Sequence, residues 1–455
     1  MNKKETKISK EIRINKKSAR RNYSNQTGIT LIALVVTIVV LLILAGVSIN
    51  AIFSENGIIK RAKDAQNKMD QATQNDLDSI NELNNWIDGK TNGTTGGGTT
   101  GGDANPSTTP KISTLVGKVV DKNTKAEDAY GNKITIPKGF KILEHNPTSS
   151  TGAVTYNYTN LEETGEHIPA VQDGIVIEDT QTGTAGNQFV WVPVGTIKNK
   201  NGSTNTITLG RYEFDSSTGA LKSTTPAQVA SVENCTKIVT ISKGGTDYQE
   251  LSTFREGNSA TNSTAQNATA RNLEEFISTT LANGGYYIAR FEASGTASKI
   301  ASKYNQTVLV DITQPNAAKA AREMYGEIKE NNKLVYASDL VNSYAWDTAI
   351  IFIQTYSIGE DASRYASQNK STSFANTGIN NDKYCNIYDM SGNASEWTTE
   401  SSTGSVNSSS YPCVNRGGVF LTGKGVSLGF TSGRGYDNTT SCLSNSGLRP
   451  LLYVK

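Results

Sequence analysis

The order of apolar and polar positions divides the chain into successive regions. Residues 29–49 are apolar except for three Ser or Thr, and a helix of this length spans a hydrocarbon core of about 30 Å. Beyond residue 55, apolar positions recur every three or four residues, which predicts an amphipathic helix. Residues 91–110 contain six Gly and seven Thr and predict a flexible linker. The predicted regions are a leader (1–28), an apolar membrane or filament helix (29–54), a helical stalk (55–90), the linker (91–110) and an extracellular domain (111–455).

The region after the linker alternates short apolar runs with Ser, Thr, Asn and Gly. This pattern predicts many short strands between turns. Helical composition occurs in only a few places, so we expect an α+β domain with irregular loops. The predicted strands include 133–137, 174–177, 188–192 and 238–241, and the predicted helices are 272–282, 317–325 and 346–356.

Charge is distributed unevenly along the chain. Residues 1–28 carry six Lys and three Arg against two Glu, a net charge of +7; the whole chain carries +2, so residues 29–455 carry −5. The positive leader ahead of the apolar run predicts a cytoplasmic N-terminus with the rest outside. The acidic remainder argues against a nucleic-acid partner. With only His145 and His167 in the chain, His-based metal sites and Ser-His-Asp hydrolysis are poorly supported.

The start of the chain resembles the signal of type IV prepilins, in which a basic leader ends in Gly before a long apolar helix. Here Gly28 precedes Ile29, Thr30 and Leu31. The resemblance implies cleavage between Gly28 and Ile29 by a prepilin peptidase and methylation of the new N-terminus. Ala33 stands where the family usually has Glu, which favours a filament tip or a membrane-held accessory over a major pilin. An ordinary signal anchor is the alternative.

A second resemblance covers the chain from about residue 187 to the end. Its motifs resemble those of the formylglycine-generating-enzyme/sulfatase-modifying-factor family, whose fold is an elaborated relative of the C-type lectin fold. The residues themselves also suit a structural role, since Trp side chains fill irregular cores and Arg side chains pair with buried carboxylates such as Glu396 or Asp389. The motifs are NQFVWVPV (187–194), GYYIARFE (285–292), AAKAAR (317–322), YDMSGNASEW (388–397), NRGG (415–418) and GLR (447–449).

The resemblance does not extend to the family's oxidation chemistry. Activating members hold copper with two Cys beyond the RGG element, and the corresponding places here are approximately Thr422 and Ser427. Neither side chain is a soft ligand for Cu(I). We therefore expect no copper and no enzymatic activity. The alternative is a tethered sulfatase-modifying-factor-type enzyme.

A calcium site is the metal site that the resemblance implies. In family members the ligands correspond to Asp389, the Gly392 and Ala394 carbonyls, and Glu396, and such oxygen ligands suit Ca²⁺. A buried Glu–Arg pair is the alternative for these carboxylates.

Two of the four Cys residues are candidates for a disulfide. Outside the membrane Cys413 and Cys442 can bridge the segment between them. Four Cys allow three complete pairings, and free buried thiols are the alternative.

These features predict a bacterial surface-displayed, pilin-anchored binding protein or adhesin. Loops near the C-terminus commonly bind partners in C-type-lectin-like domains, so the ligand site is expected at Arg434, Tyr436 and Asn438, in a Gly-rich sequence that favours exposure. The expected partners are prepilin peptidase, other pilin subunits, the membrane and an unidentified surface, glycan or protein ligand. The expected location is the cytoplasmic membrane or a surface filament. A structural minor pilin is a further alternative, and the late Gly- and Asn-rich segment is similar to the variable tail of diversity-generating-retroelement targets.

Overall fold

The computed structural model of this protein describes most of the chain beyond the linker. The predicted leader, apolar helix and stalk, and with them Gly28 and Ile29, lie outside the described residues. The described residues are 109–158, 160–161, 165–215, 219–233, 241–243, 246–250, 268–330, 333–357, 373–380, 382–403, 405–406, 409–410, 412–419, 433–438, 440 and 442–455.

Strands dominate the described part of the chain. They are β1 (Thr124–Glu127), β2 (Lys133–Ile136), β3 (Phe140–Ile142), β4 (Asn160–Leu161), β5 (Glu166–His167), β6 (Val176–Asp179), β7 (Gln188–Pro193), β8 (Gly195–Lys198), β9 (Thr204–Ile207), β10 (Gly210–Arg211), β11 (Gln228–Val229), β12 (Ile241–Lys243), β13 (Thr246–Gln249), β14 (Gly285–Ala289), β15 (Ser294–Thr296), β16 (Lys299–Ala301), β17 (Glu327–Glu330), β18 (Lys333–Leu340), β19 (Lys383–Tyr384), β20 (Ile387–Tyr388), β21 (Ser395–Ser402), β22 (Ser405–Val406), β23 (Ser409–Ser410), β24 (Cys413–Arg416), β25 (Arg434–Asp437), β26 (Ser446–Leu448) and β27 (Pro450–Val454).

Three α-helices accompany these strands in the described residues. Each begins at a side-chain cap, for example Asn342, whose Oδ1 accepts a hydrogen bond from Ala345 N at 2.9 Å. Such caps satisfy backbone donors that have no partner within the helix. The helices are α1 (Leu273–Asn283), α2 (Gln314–Tyr325) and α3 (Ser343–Tyr356).

The predicted fold class, α+β with a long N-terminal membrane helix and an elaborated C-type-lectin-like domain, is wrong. The described chain is mostly sheet with three short α-helices. None of its described helices has the length and the apolar character needed to cross a membrane. The helices predicted at 272–282, 317–325 and 346–356 are nevertheless present within a few residues.

The largest described sheet is antiparallel and has seven strands in the order β17-β18-β27-β14-β7-β6-β3. Its central strands β7, β14 and β27 are buried at every position, because α1 packs on β14 and β27 and α3 packs on β7. Trp191 of β7 contacts Tyr287 of β14 edge to face, with ring centroids 5.0 Å apart. The continuous apolar runs in the sequence are therefore strands buried on both faces.

A six-stranded sheet carries the C-terminal part of the domain. Its order is β12-β13-β21-β24-β25, and β26 pairs in parallel with β21. The pairing of β24 with β25 places Arg416 directly opposite Arg434. α2 and α3 both contact β21, so the strand that carries Glu396 and Glu400 is buried beneath helices.

Candidate functional site

A cleft of about 560 Å³ opens at the edge of the six-stranded sheet. We call it the β25 cleft. Gly435 allows the Asn415 side chain to lie close to β25, because a Cβ at that position would lie 2.2 Å from Asn415 Oδ1. Its lining residues come from β13, β21, β24, β25 and the segment that precedes β26: Thr246, Tyr248, Ser395, Asn415, Arg416, Gly418, Val419, Gly433, Arg434, Gly435, Tyr436, Asp437, Leu443 and Asn445.

Beneath the cleft lies a buried network of charges, the ion cluster, formed by Arg211, Asp347, Glu400, Arg416 and Arg434. Arg434 donates from Nε to Glu400 Oε1 at 3.0 Å and from Nη2 to Asp347 Oδ2 at 3.0 Å. Arg416 donates to Asp347 Oδ1 at 2.6 Å and to Glu400 Oε2 at 3.3 Å. Arg211 also donates to Glu400. Two carboxylates thus hold three guanidinium groups together.

The ion cluster keeps Glu400 ionised in spite of its burial. Burial alone would raise the pKa of Glu400, but the charges of Arg434, Arg211 and Arg416 hold this pKa at about 2. Two like charges directly opposite on paired strands repel each other, so Arg416 and Arg434 depend on the carboxylates between them. The cluster therefore fixes β24 and β25 against α3 and makes a rigid floor for the cleft.

A third carboxyl group, Glu250, lies next to the ion cluster and is fully buried. Its Oε2 accepts hydrogen bonds from Ser343 N at 2.9 Å and Ser343 Oγ at 2.7 Å, and its Oε1 accepts one from Thr399 Oγ1 at 2.6 Å. Burial raises the pKa of Glu250 to about 7, and the charge of Glu400 acts in the same direction.

Replacing Glu250 with Gln is expected to stabilise the domain at pH 8. Because the folded-state pKa lies above the ordinary value of 4.5, folded protein keeps a proton that the unfolded chain releases. The stability that Glu250 contributes therefore falls as pH rises from about 4.5 to 7. Glu250→Gln should be more stable than wild type by up to about 3 kcal/mol at pH 8, and similar at pH 5, in urea unfolding. If the variant and wild type differed in free energy of unfolding by the same amount at pH 5 and pH 8, that result would contradict a raised pKa of Glu250.

The predicted ligand residues Arg434 and Tyr436 line the β25 cleft, and Asn438 follows directly after β25. The expected exposure of Arg434 is wrong: its residue is 6% exposed because its side chain points to Glu400 and Asp347. Tyr436 and Asn438 are half-buried. Tyr248 and Asn445 are cleft residues that the sequence did not single out, and Asn415 was noted only as part of the NRGG motif.

The residues predicted to bind calcium lie together in a second buried group, the carboxylate cluster, formed by Glu292, Asp389, Glu396 and Arg449. Arg449 Nε donates to Glu396 Oε1 at 2.9 Å, whereas Glu396 Oε2 has no hydrogen-bond partner among the described residues. Asp389 Oδ2 accepts from Gly378 N at 2.9 Å. A buried Glu–Arg pair, the alternative to a calcium site, is thus present between Glu396 and Arg449, whereas Arg416 belongs to the ion cluster.

Gly392 and Ala394 are expected to bind calcium through their backbone carbonyls. Their backbone nitrogens donate hydrogen bonds within the protein. Gly392 N donates to Gly417 O at 2.8 Å, and Ala394 N donates to Glu292 Oε1 at 2.8 Å. Within the described ranges, no group of three or more His, Cys, Asp and Glu side chains is arranged to hold a metal ion. Calcium binding at Asp389, Gly392, Ala394 and Glu396 stays a prediction.

Burial makes the carboxylate cluster sensitive to pH. It raises the pKa of Asp389 to about 6 and that of Glu396 to about 7. It also raises the pKa of Glu292 well above the ordinary value, and the charges of Asp389 and Glu396 add to this effect. The single cation Arg449 faces three carboxyl groups, so the cluster favours protonation of at least one of them near neutral pH.

The disulfide predicted between Cys413 and Cys442 is not formed in the structure, where both are free thiols. Cys413 lies buried on β24 with its Sγ 3.8 Å from Gln314 Oε1, whereas Cys442 is exposed. Cys413 belongs to a buried apolar cluster that includes Trp397 and Leu448, whereas Cys442 is exposed to solvent. Thr422 and Ser427, the positions that correspond to the copper ligands, lie outside the described residues.

No model of a known protein family matches the chain, and no curated protein matches it. Among solved structures, Treponema denticola variable protein 1 is similar with a TM-score of 0.26 and 11% sequence identity, over 48% of this chain and 99% of that one. CarF is similar with a TM-score of 0.21 and 15% identity, over 38% of this chain and 87% of that one. Similarities of this strength assign neither a fold nor a function to the chain.

Proposed function

We propose that residues 111–455 form a ligand-recognition domain of a bacterial surface protein, an adhesin, and that the β25 cleft is its recognition site. The observation that carries the proposal is the position of Tyr436, which is half-buried and lines the cleft above the ion cluster. Tyr contributes more binding energy at protein interfaces than most residue types. A floor fixed by ion pairs presents this side chain with little loss of conformational freedom on binding.

The remaining lining residues supply directional contacts. Asn415, Asn445 and Ser395 offer side-chain amide and hydroxyl groups, and Leu443 offers apolar area. A cavity of about 560 Å³ is in the range typical of sites that enclose a small molecule or one residue of a larger ligand. This mixture is typical of recognition surfaces.

The chemistry of the cleft favours binding over catalysis. Asp437 is the one carboxylate among its described lining residues, which include no His, Cys or Lys. The two arginines that line it are held by Asp347 and Glu400. Ser395, a hydroxyl group of the lining, bonds to Asn445 O and Ser446 Oγ and not to Asp437, so the two do not form the nucleophile–base pair of covalent catalysis. A tethered modifying enzyme remains the rival proposal, tested by copper-dependent oxidation of a Cys-containing peptide.

The prepilin-type signal at Gly28 and Ile29 supplies the route to the surface in this proposal. It rests on the sequence of the leader and the apolar run that follows. The mass of the N-terminus from native membranes tests it directly: a mature chain that begins with methylated Ile29 supports processing, and an intact Met1 contradicts it.

Adhesion tests the β25 cleft as the recognition site. The double variant Tyr436→Ala, Asn445→Ala spares the ion cluster, and we expect it to lose at least about 2 kcal/mol of binding energy, roughly thirtyfold in affinity. Bacteria that display the full chain are compared for attachment to a panel of epithelial cells, bacterial cells and abiotic surfaces. Wild type should attach to at least one of these, and the double variant should not.

The matched control is Tyr304→Ala, which removes a half-buried tyrosine whose ring packs on Phe291 at 6.0 Å, outside the cleft. It should attach like wild type. Equal attachment by wild type and the folded double variant would place recognition elsewhere, and attachment of wild type to none of the surfaces would contradict an adhesin.

A further inference from the structure

Two adjoining cavities lie between the β8–β9 hairpin, the end of α3 and β19. The inner one has a volume of about 130 Å³ and the outer one about 640 Å³. Tyr158 and Tyr356 line both of them. We call them the paired cavities. None of the residues that line them belongs to the β25 cleft.

Three buried polar atoms at the paired cavities lack hydrogen-bond partners among the described residues. Gln172, which is fully buried and lines the inner cavity, has no described partner for its Oε1. The hydroxyl of Tyr356, a residue 2% exposed, faces the side chain of Asn205 but makes no hydrogen bond of good geometry to a described residue. In the outer cavity the buried Oδ1 of Asn199 likewise has no partner in the described part of the chain. A buried polar group is costly unless something bonds to it, so these atoms point to a ligand that supplies donors.

The charged groups of the inner cavity already have protein partners. Lys383 Nζ donates to Thr155 Oγ1 at 2.8 Å and to Ala153 O at 3.3 Å. Asp173 Oδ1 accepts from the backbone nitrogens of Asn157 at 2.7 Å and Tyr158 at 3.1 Å. The atoms that lack partners belong to uncharged side chains, which favours an uncharged ligand.

Two aromatic rings give the paired cavities an apolar wall. The rings of Tyr158 and Tyr356 meet at 90° with centroids 5.9 Å apart, and the Tyr158 hydroxyl donates to Tyr356 O at 2.5 Å. Asn199, Asn201 and Asn205 surround the outer cavity with amide groups. A ring face beside several amides matches the chemistry of a sugar, whose C–H groups contact the ring and whose hydroxyls both donate and accept.

We propose that the paired cavities bind a neutral saccharide, with one hydroxyl donating to Gln172 Oε1 and another bonded to the Tyr356 hydroxyl. A hydroxyl-rich, uncharged ligand donates to the acceptor oxygens of Gln172 and Asn199 without requiring a charged partner. The combined volume accommodates a monosaccharide in the outer cavity with a substituent directed inward. The paired cavities are separate from the β25 cleft, so saccharide binding in them does not depend on ligand recognition at the cleft.

The test is direct binding of methyl glycosides of glucose, galactose, mannose and N-acetylglucosamine to the full chain. The protein is held in a detergent without a sugar headgroup, and binding is followed by calorimetry and ligand-observed NMR. At least one glycoside should bind saturably to wild type. Tyr356→Phe removes a single oxygen and should weaken that binding about tenfold, while leaving thermal stability equal to wild type or higher.

Tyr287→Phe is the matched control, because it removes a buried hydroxyl bonded to Thr135 O at 3.0 Å, away from the paired cavities. It should lower stability and leave glycoside affinity unchanged. Three results would overturn the proposal: no saturable binding of any glycoside, equal binding by wild type and Tyr356→Phe, or a loss of thermal stability in Tyr356→Phe, which would show that ordered water already satisfies the hydroxyl.

Discussion

Replacing Glu400 with Gln is expected to destabilise the domain by about 3–5 kcal/mol, because breaking a buried ion network leaves charge without compensation. Glu400 bonds to three arginines whose side chains are 0–5% exposed. After the change, Asp347 is the carboxylate that pairs with Arg416 and Arg434, and Arg211 loses its ion pair with Glu400. Urea unfolding of the full chain reports the loss through the fluorescence of the buried Trp191, Trp346 and Trp397.

Glu213→Gln provides the comparison for this prediction. Glu213 pairs with Lys222 at 3.8 Å, and the two side chains are 49% and 54% exposed. An exposed pair contributes about 0–1 kcal/mol, so this variant should unfold almost like wild type. If Glu400→Gln were as mild as Glu213→Gln, the ion cluster would not be what fixes β24 and β25 beneath the cleft.

Local features of the fold could be predicted from the sequence. The helix predicted at 346–356 is α3, and the strand predicted at 188–192 is β7. Trp191, a candidate core residue, is fully buried. Each of these depends on the periodicity of a few neighbouring residues, which the local backbone determines.

Long-range features could not be predicted in the same way. Arg416 pairs with Asp347, which lies 69 residues earlier, and with Glu400, 16 residues earlier. Asp347 is the one charged residue in its helical stretch, and that charge was the available signal. Arg434 seemed exposed because glycines flank it, but its register opposite Arg416 directs it inward. Which carboxylate pairs with which arginine depends on the order of the strands in the sheet, and a single sequence does not reveal that order.

Replacing Arg449 with Met is expected to be the second strongly destabilising change, and its cost should depend on pH. Arg449 also donates to three backbone oxygens, including Ala289 O at 2.9 Å and Tyr388 O at 2.9 Å. At pH 8 the loss of the only cation in the carboxylate cluster should cost about 3–5 kcal/mol.

The pH dependence follows from the carboxyl groups that Arg449→Met leaves behind. Burial raises the pKa of Asp389 to about 6 and that of Glu396 to about 7, and the charge of Arg449 lowers both. Without Arg449 both values rise further, so at pH 5 the groups are neutral and the cost should shrink.

Urea unfolding at pH 5 and pH 8 measures the difference between wild type and Arg449→Met. Lys141→Met is the control, since Lys141 pairs with Glu178 at 3.1 Å where both side chains are partly exposed, and its small effect should not change with pH. A cost for Arg449→Met that is equal at both pH values would mean that the lost backbone hydrogen bonds, not the carboxylates, determine it.

Added Ca²⁺ extends the same experiment: if Asp389 and Glu396 bind calcium, the ion replaces the missing positive charge and stabilises Arg449→Met at pH 8 more than wild type. If Ca²⁺ changes the stability of the two proteins equally, the role of these carboxylates is structural, through the Glu396–Arg449 ion pair.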